Sequence, residues 1–142
     1  MMAKIGSEKK QTVKMALVVH PDMGVLSSYQ AALSEKGYVS IVARDLPTAL
    51  LAMTQHYFDI ALVSVRLHEL GDGWPLAGVL HLVFPHAFVA VISPTEPDVL
   101  SLQAAINYGV REIYREAVPA PEVVNGIVSG TERSAQKRTR VQ

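Results

Sequence analysis

Four short apolar runs in the chain each stop at a polar residue: Leu17-Val18-Val19 at His20, Ala61-Leu62-Val63 at Ser64, Val89-Ala90-Val91-Ile92 at Ser93, and Ile113-Tyr114 just before Glu116. Continuous β-rich runs of this length suit strands covered on both faces, as in a parallel sheet. In an open parallel sheet the ligand crevice lies beyond the carboxyl ends of the strands, so the four stops are expected to converge on one site.

Helical patterns separate the runs. After a first strand over 13–19, the segment from Val25 to Lys36 places Leu26, Tyr29, Ala32 and Leu33 on one face, with Gly37 as a C-cap signal. Tyr38 to Ala43 alternates more and reads as an edge strand. Pro47 opens a helix to about His56 that offers Leu50, Leu51 and Met53 to the core, and Asp59 to Val63 is the third strand. A polar loop from Arg66 to Gly73 leads to a short helix, Trp74 to Val83, and then to a fourth strand, Phe88 to Ile92. Asp98 is the expected N-cap of a helix from Val99 to Tyr108, with Leu102, Ala105 and Ile106 inward and Gly109 at its end. Glu112 to Tyr114 is a short fifth strand, and Pro121 to Ser129 a last helix. Five strand–helix pairs in strict alternation predict a doubly wound α/β domain with five parallel strands.

Composition narrows the function classes. At 142 residues the chain fits one domain, and a hydrophobic fraction of 49% marks it as globular. Thirteen Lys and Arg balance thirteen Asp and Glu, so no overall field draws it to nucleic acid or an anionic membrane. It has no cysteine, which excludes disulfides and thiolate chemistry. No run reaches the roughly 20 residues of a membrane span, and a cytoplasmic location is expected. Residues 1–12 read as a flexible segment, 13–130 as the domain, and 131–142 as a flexible basic tail or linker carrying Arg133, Lys137, Arg138 and Arg140. His56, His68, His81 and His86 lack the spacing of a metal site, and no cofactor is expected.

The order of elements, with Lys36-Gly37-Tyr38, the 57–64 stretch ending in Ser64, Val91-Ile92-Ser93 and the 104–110 stretch around Tyr108-Gly109, resembles the receiver domain of bacterial two-component response regulators. The resemblance implies a flavodoxin-like sheet in the order 2-1-3-4-5 and a role in phosphorelay-type signalling through a protein partner. It also implies where that family's chemistry would sit. The phosphoryl-accepting aspartate falls at Ser64, whose hydroxyl would give an unreactive ester and needs a base to attack at all. The two acidic residues that hold magnesium fall at His20 and Pro21, with Asp22 one position on. Neither an imidazole nor a proline ring suits a hard, octahedral cation. The phosphate-pairing lysine falls at Glu116, an anion, followed by Ala117 in place of a proline. Ser93 keeps the hydroxyl of the fourth strand, whereas the switch aromatic falls at Ile113 and the usual loop proline at His68.

Read this way the chain is a degenerate receiver that acts by protein interaction, without aspartyl phosphorylation and without enzyme activity. His20 and Glu116 are expected to be able to pair across the old pocket. The competing reading makes the crevice of His20, Asp22, Ser64, Ser93 and Glu116 a ligand sensor or a hydrolase, since His20, Asp22 and Ser64 have the composition of a triad. A third makes Ser64 a serine-kinase site. For the interaction surface the expectation is an apolar patch on the fourth and fifth helices, from Val99, Tyr108, Tyr114, Val123, Val124, Ile127 and Val128. In the family that face is the usual dimer surface, and a homodimer through it is one assembly the resemblance allows.

Overall fold

The computed structural model describes residues 13–67 and 73–141, with side chains to Gln136. The elements alternate without exception. They are β1 (Lys14–Val19), α1 (Met23–Glu35), β2 (Tyr38–Ala43), α2 (Leu46–Gln55), β3 (Ile60–Ser64), α3 (Gly73–Val83), β4 (Phe88–Ser93), α4 (Val99–Tyr108), β5 (Glu112–Arg115) and α5 (Ala120–Val141). The five parallel strands lie in the order β2-β1-β3-β4-β5, so the expected flavodoxin-like topology is the one found.

Period-two alternation within each continuous apolar strand divides the core into two layers. Ala16, Val18, Ile60, Leu62, Ala90 and Ile92 point to one side, where α1 and α5 bury Leu26, Tyr29, Leu33, Val123, Val124 and Ile127 against them. Leu17, Val19, Ala61, Val63, Val89 and Val91 point to the other, where α2 and α3 contribute Ala49, Ala52, Leu76, Ala77 and Leu80. Both faces of the central strands are thus dry, as a parallel sheet requires. Caps end the helices as their residues dictate. Asp22, Asp45 and Asp98 each accept a hydrogen bond from a backbone amide three residues on, and Gly37 and Gly109 take the positive φ angles that close α1 and α4.

Several helix faces differ from the sequence reading. Leu50 and Leu51 of α2 are exposed, and the helix buries the smaller Ala49 and Ala52 instead, which lets it lie close to the sheet. Leu102 and Ile106 of α4 are also exposed, and no residue of that helix is buried. The expected patch on the fourth and fifth helices is not formed as such: Val123, Val124 and Ile127 are fully buried and Tyr114 and Val128 pack against the same core, leaving Val99 as its exposed apolar member. The paired valines are wide for a surface stripe but suit a helix lying along the middle of a sheet.

The tail is corrected as well. Helix α5 does not stop at Ser129 but continues through 131–141, where a flexible segment was expected. Its first added turns are anchored on the amino-terminal edge of the sheet. Gly130 lies against the Phe88 ring, the Arg111 guanidinium covers that ring at 5.0 Å, and Arg111 donates a hydrogen bond to Ser134. The 1–12 segment, His68 and the Gly71-Asp72 part of the loop lie outside the described residues.

Candidate functional site

The four strand ends converge, and the crevice they form is closed by the protein's own groups. β1 delivers His20 at its end, held by a hydrogen bond from its amide to the Ala43 carbonyl of β2. Across the sheet, the Glu116 amide donates to the Ser93 carbonyl and positions the residue just past β5. The two side chains meet: His20 Nε2 lies 3.1 Å from Glu116 Oε2, with the imidazole nearly enclosed and the carboxylate half-exposed. On the other ring nitrogen, Nδ1 accepts a hydrogen bond from the Asp22 amide at 3.1 Å. An amide can only donate, so Nδ1 carries no proton and Nε2–H is the donor to Glu116. These are the bonds of the neutral Nε2–H tautomer, and a second proton on Nδ1 would set two donors against each other.

The serines are engaged as well. Ser64 Oγ donates to the Arg66 carbonyl at 3.0 Å and accepts from the Arg66 amide at 3.2 Å. Ser93 repeats the arrangement one strand over, donating to the Thr95 carbonyl at 2.8 Å and accepting from the Thr95 amide at 3.3 Å. Each hydroxyl folds back on its own loop, the local competition with the backbone that serine favours at strand and helix ends. Both serines are buried, at 2% and 5% exposure. Gly73 closes the loop above Ser64: a Cβ there would stand 1.9 Å from the Ser64 carbonyl oxygen, so only glycine fits.

His20 and Glu116 are therefore brought together, whereas the three residues of a triad are not. Asp22 turns its carboxylate to the Val25 amide as the cap of α1, His20 uses both nitrogens elsewhere, and Ser64 gives its proton to a carbonyl. Among the described residues no base faces the Ser64 hydroxyl, and His20, Asp22 and Ser64 do not form a triad. Pro21 is half-buried, and its carbonyl accepts from Arg44 Nε at 3.1 Å. Among the described residues, no group of three His, Asp or Glu able to hold a metal occurs.

On β5, Ile113 packs with the α2–α3 layer and Tyr114 with the α1–α5 layer, so the tyrosine does not stand in for the switch aromatic. Its hydroxyl rests over Gly126 of α5, where a Cβ would meet it at 2.6 Å. Beside it, Tyr29 of α1 is buried. Loss of solvent pushes its phenol up to about 12, and the Glu116 carboxylate and Tyr114 add to the rise. Three of these groups leave no site signal in the sequence: the Asp22 amide is a backbone group, Arg44 acts through the carbonyl of Pro21, and Tyr29 reads as a core residue alone.

No protein-family model and no curated protein sequence matches the chain. Solved structures do. A CheY-like response regulator receiver domain from Methanospirillum hungatei JF-1 superposes with a TM-score of 0.79 at 17% identity, covering 89% of this chain and 99% of its own. A response regulator from Burkholderia pseudomallei, solved with a phosphorylated aspartic acid, a calcium ion and citrate, gives 0.73 at 16% identity over 88% of this chain and 72% of its own. The signal receiver domain of an HD domain-containing protein from Pseudomonas fluorescens Pf-5 gives 0.72 at 21% identity, over 92% and 99%. Five parallel strands in this order, matched over nearly the whole length of two of these neighbours, make the fold of this chain that of the CheY-like response regulator receiver domains.

Proposed function

We propose that the chain is a receiver-type signalling module that works by binding a protein partner, with no aspartyl phosphorylation, no resident cofactor and no catalysis of its own. The carrying observation is the His20–Glu116 bridge at 3.1 Å, which occupies the place where a receiver pairs its phosphoryl group with a lysine. In such a domain the phosphate links the loop after β3 to the end of β5. Here a ring nitrogen and a carboxylate join the loop after β1 to the end of β5, and both flanking serines are tied down. Signalling would then depend on which partner favours the bridged state. A ligand shifts a two-state surface only through differential affinity. A cytoplasmic location accords with the signalling role, and no helix among the described residues is long and apolar enough to cross a membrane.

The test uses the full chain with acetyl phosphate, and separately with beryllofluoride and magnesium. We expect no mass increase and no change in the amide resonances of residues 20, 64, 93 and 116. A labile, alkali-sensitive phosphate, or beryllofluoride shifts centred on Ser64, would overturn the proposal. A Ser64→Ala variant exposes a serine ester, because only that variant would lose an acid-stable, hydroxylamine-resistant phosphate added by a serine kinase.

A further inference from the structure

We propose that the outer face of α3 and α4 is a self-association surface, pairing with a second copy of this chain about a two-fold axis. Helix α4 is seated through its small residues: Ser101, Ala104, Ala105 and Tyr108 are half-buried, and its larger apolar side chains face away. Leu82 of α3 with Val99, Leu100 and Ile106 of α4 are each 73–80% exposed, and Val79 adds to them. Between the helices runs a groove of about 350 Å³ lined by Pro75, Gly78, Val79, Leu82 and Tyr108. Gly78 lets the Tyr108 ring pack against α3 and form one wall of the groove, since a Cβ there would lie 2.5 Å from that ring.

Area and charge select the occupant. Apolar residues this exposed present on the order of 600–700 Å² on one face, more than most monomers leave bare and near the roughly 800 Å² per partner of a standard interface. Neither α3 nor α4 contains Asp, Glu, Lys or Arg. A partner recognised by charge therefore finds nothing to grip. In a two-fold contact a charge near the axis meets its own copy, so a patch with none meets no such repulsion. His81 also lines the groove, with its ring packed against Gly109, where a Cβ would meet it at 2.4 Å. The zero formal net charge of the chain also leaves no long-range repulsion between copies. The α4 ridge of Val99 and Ile106 stands beside the groove on the same patch. The ridge of one copy can thus enter the groove of the other, and the reverse contact forms at the same time.

Sedimentation velocity of the full chain over a dilution series reads the outcome. We expect a dimer that dissociates on dilution, weakened tenfold or more by Ile106→Glu and by Leu82→Lys, with unchanged circular dichroism because both sites are exposed. Leu51→Lys on exposed α2 should leave the dimer intact. Mixing I106E with L82K should restore association, since ridge then meets groove as Glu against Lys on one side and Ile against Leu on the other. A chain monomeric at every concentration, a dimer untouched by both variants, or a mixture that stays monomeric would overturn the proposal. So would a monomeric chain that binds a different protein through this face.

Discussion

Helices α4 and α5 cover opposite faces of the same sheet, and they use their apolar residues in opposite ways. Val123, Val124 and Ile127 of α5 have no measurable exposure beyond 1%, whereas Val99, Leu100, Leu102 and Ile106 of α4 all face solvent. Glycine placement accounts for the difference. Gly126 and Gly130 lie on the inner side of α5, against the Tyr114 hydroxyl and the Phe88 ring, so the helix can settle onto the strands. On the other face the glycine belongs to α3: Gly78 admits Tyr108, and α4 leans on its neighbour helix rather than entering the sheet. A helix buries the face for which its neighbours leave room. Its own apolar stripe does not decide the matter.

The largest effect that tests this contrast comes from truncating the same residue type on the two helices. Ile127→Ala removes a fully enclosed side chain from the α1–α5 layer and should cost about 2–5 kcal/mol in urea unfolding. Ile106→Ala, measured at concentrations where the chain is monomeric, should stay within about 0.5 kcal/mol. Comparable losses at both positions would mean that α4 is packed after all, and the contrast would fall.

An effect of about 2–3 kcal/mol is expected from Tyr29, which reports how dry the α1–α5 layer is. Burial, with Glu116 and Tyr114 adding, raises its phenol from 10.0 to about 12. The folded protein therefore holds this proton more tightly than the unfolded chain. The stability it contributes is intact below pH 10 and declines as pH climbs through about 12. Tyr29→Phe should flatten the alkaline limb of a stability–pH curve. Tyr38 and Tyr114, raised by the same loss of solvent, supply the remainder. A limb as steep in the variant as in the parent would show the layer to be wetter than its packing indicates.

Strand ends and caps were legible because each rests on a local rule. The apolar runs stop where the strands stop, Asp98 and Gly109 bound α4, and the continuous runs of β1, β3 and β4 become the strands buried on both faces. The orientation of α4 was not legible. Leu102, Ala105 and Ile106 form a sound stripe by spacing, but the space they would enter depends on Gly78, twenty-four residues before Leu102, and on how far Tyr108 reaches. The extended α5 was missed for a related reason. Residues 131–136 are polar and look solvated in isolation, yet Arg111 and Phe88 at the start of β5 and β4 give them a surface to lie on. At the crevice, the residue types at the strand ends were legible, but the His20–Glu116 bridge joins strands that the sheet order sets three places apart, so strand adjacency alone does not give it. What Ser64 and Ser93 do instead was hidden, because their partners are backbone groups of Arg66 and Thr95, which every residue possesses.

The smallest effect concerns the bridge that closes the crevice above both layers. If the imidazole donates from Nε2 while Nδ1 accepts from the Asp22 amide, Glu116 serves as an acceptor, and any acceptor of similar reach can replace it. Glu116→Gln keeps a carbonyl oxygen in place and loses only the charge-assisted part of a hydrogen bond whose carboxylate is half-exposed. It should cost about 0.5–1 kcal/mol. Glu116→Ala should cost more, because it leaves an N–H on a nearly enclosed ring without an acceptor. Nitrogen-15 shifts of the imidazole provide the independent check, with the Nε2–H tautomer expected in both the parent and the Gln variant. An Nδ1–H tautomer in the parent would mean that the Asp22 amide does not set the ring, and the crevice would then be held more loosely than either helical layer beside it.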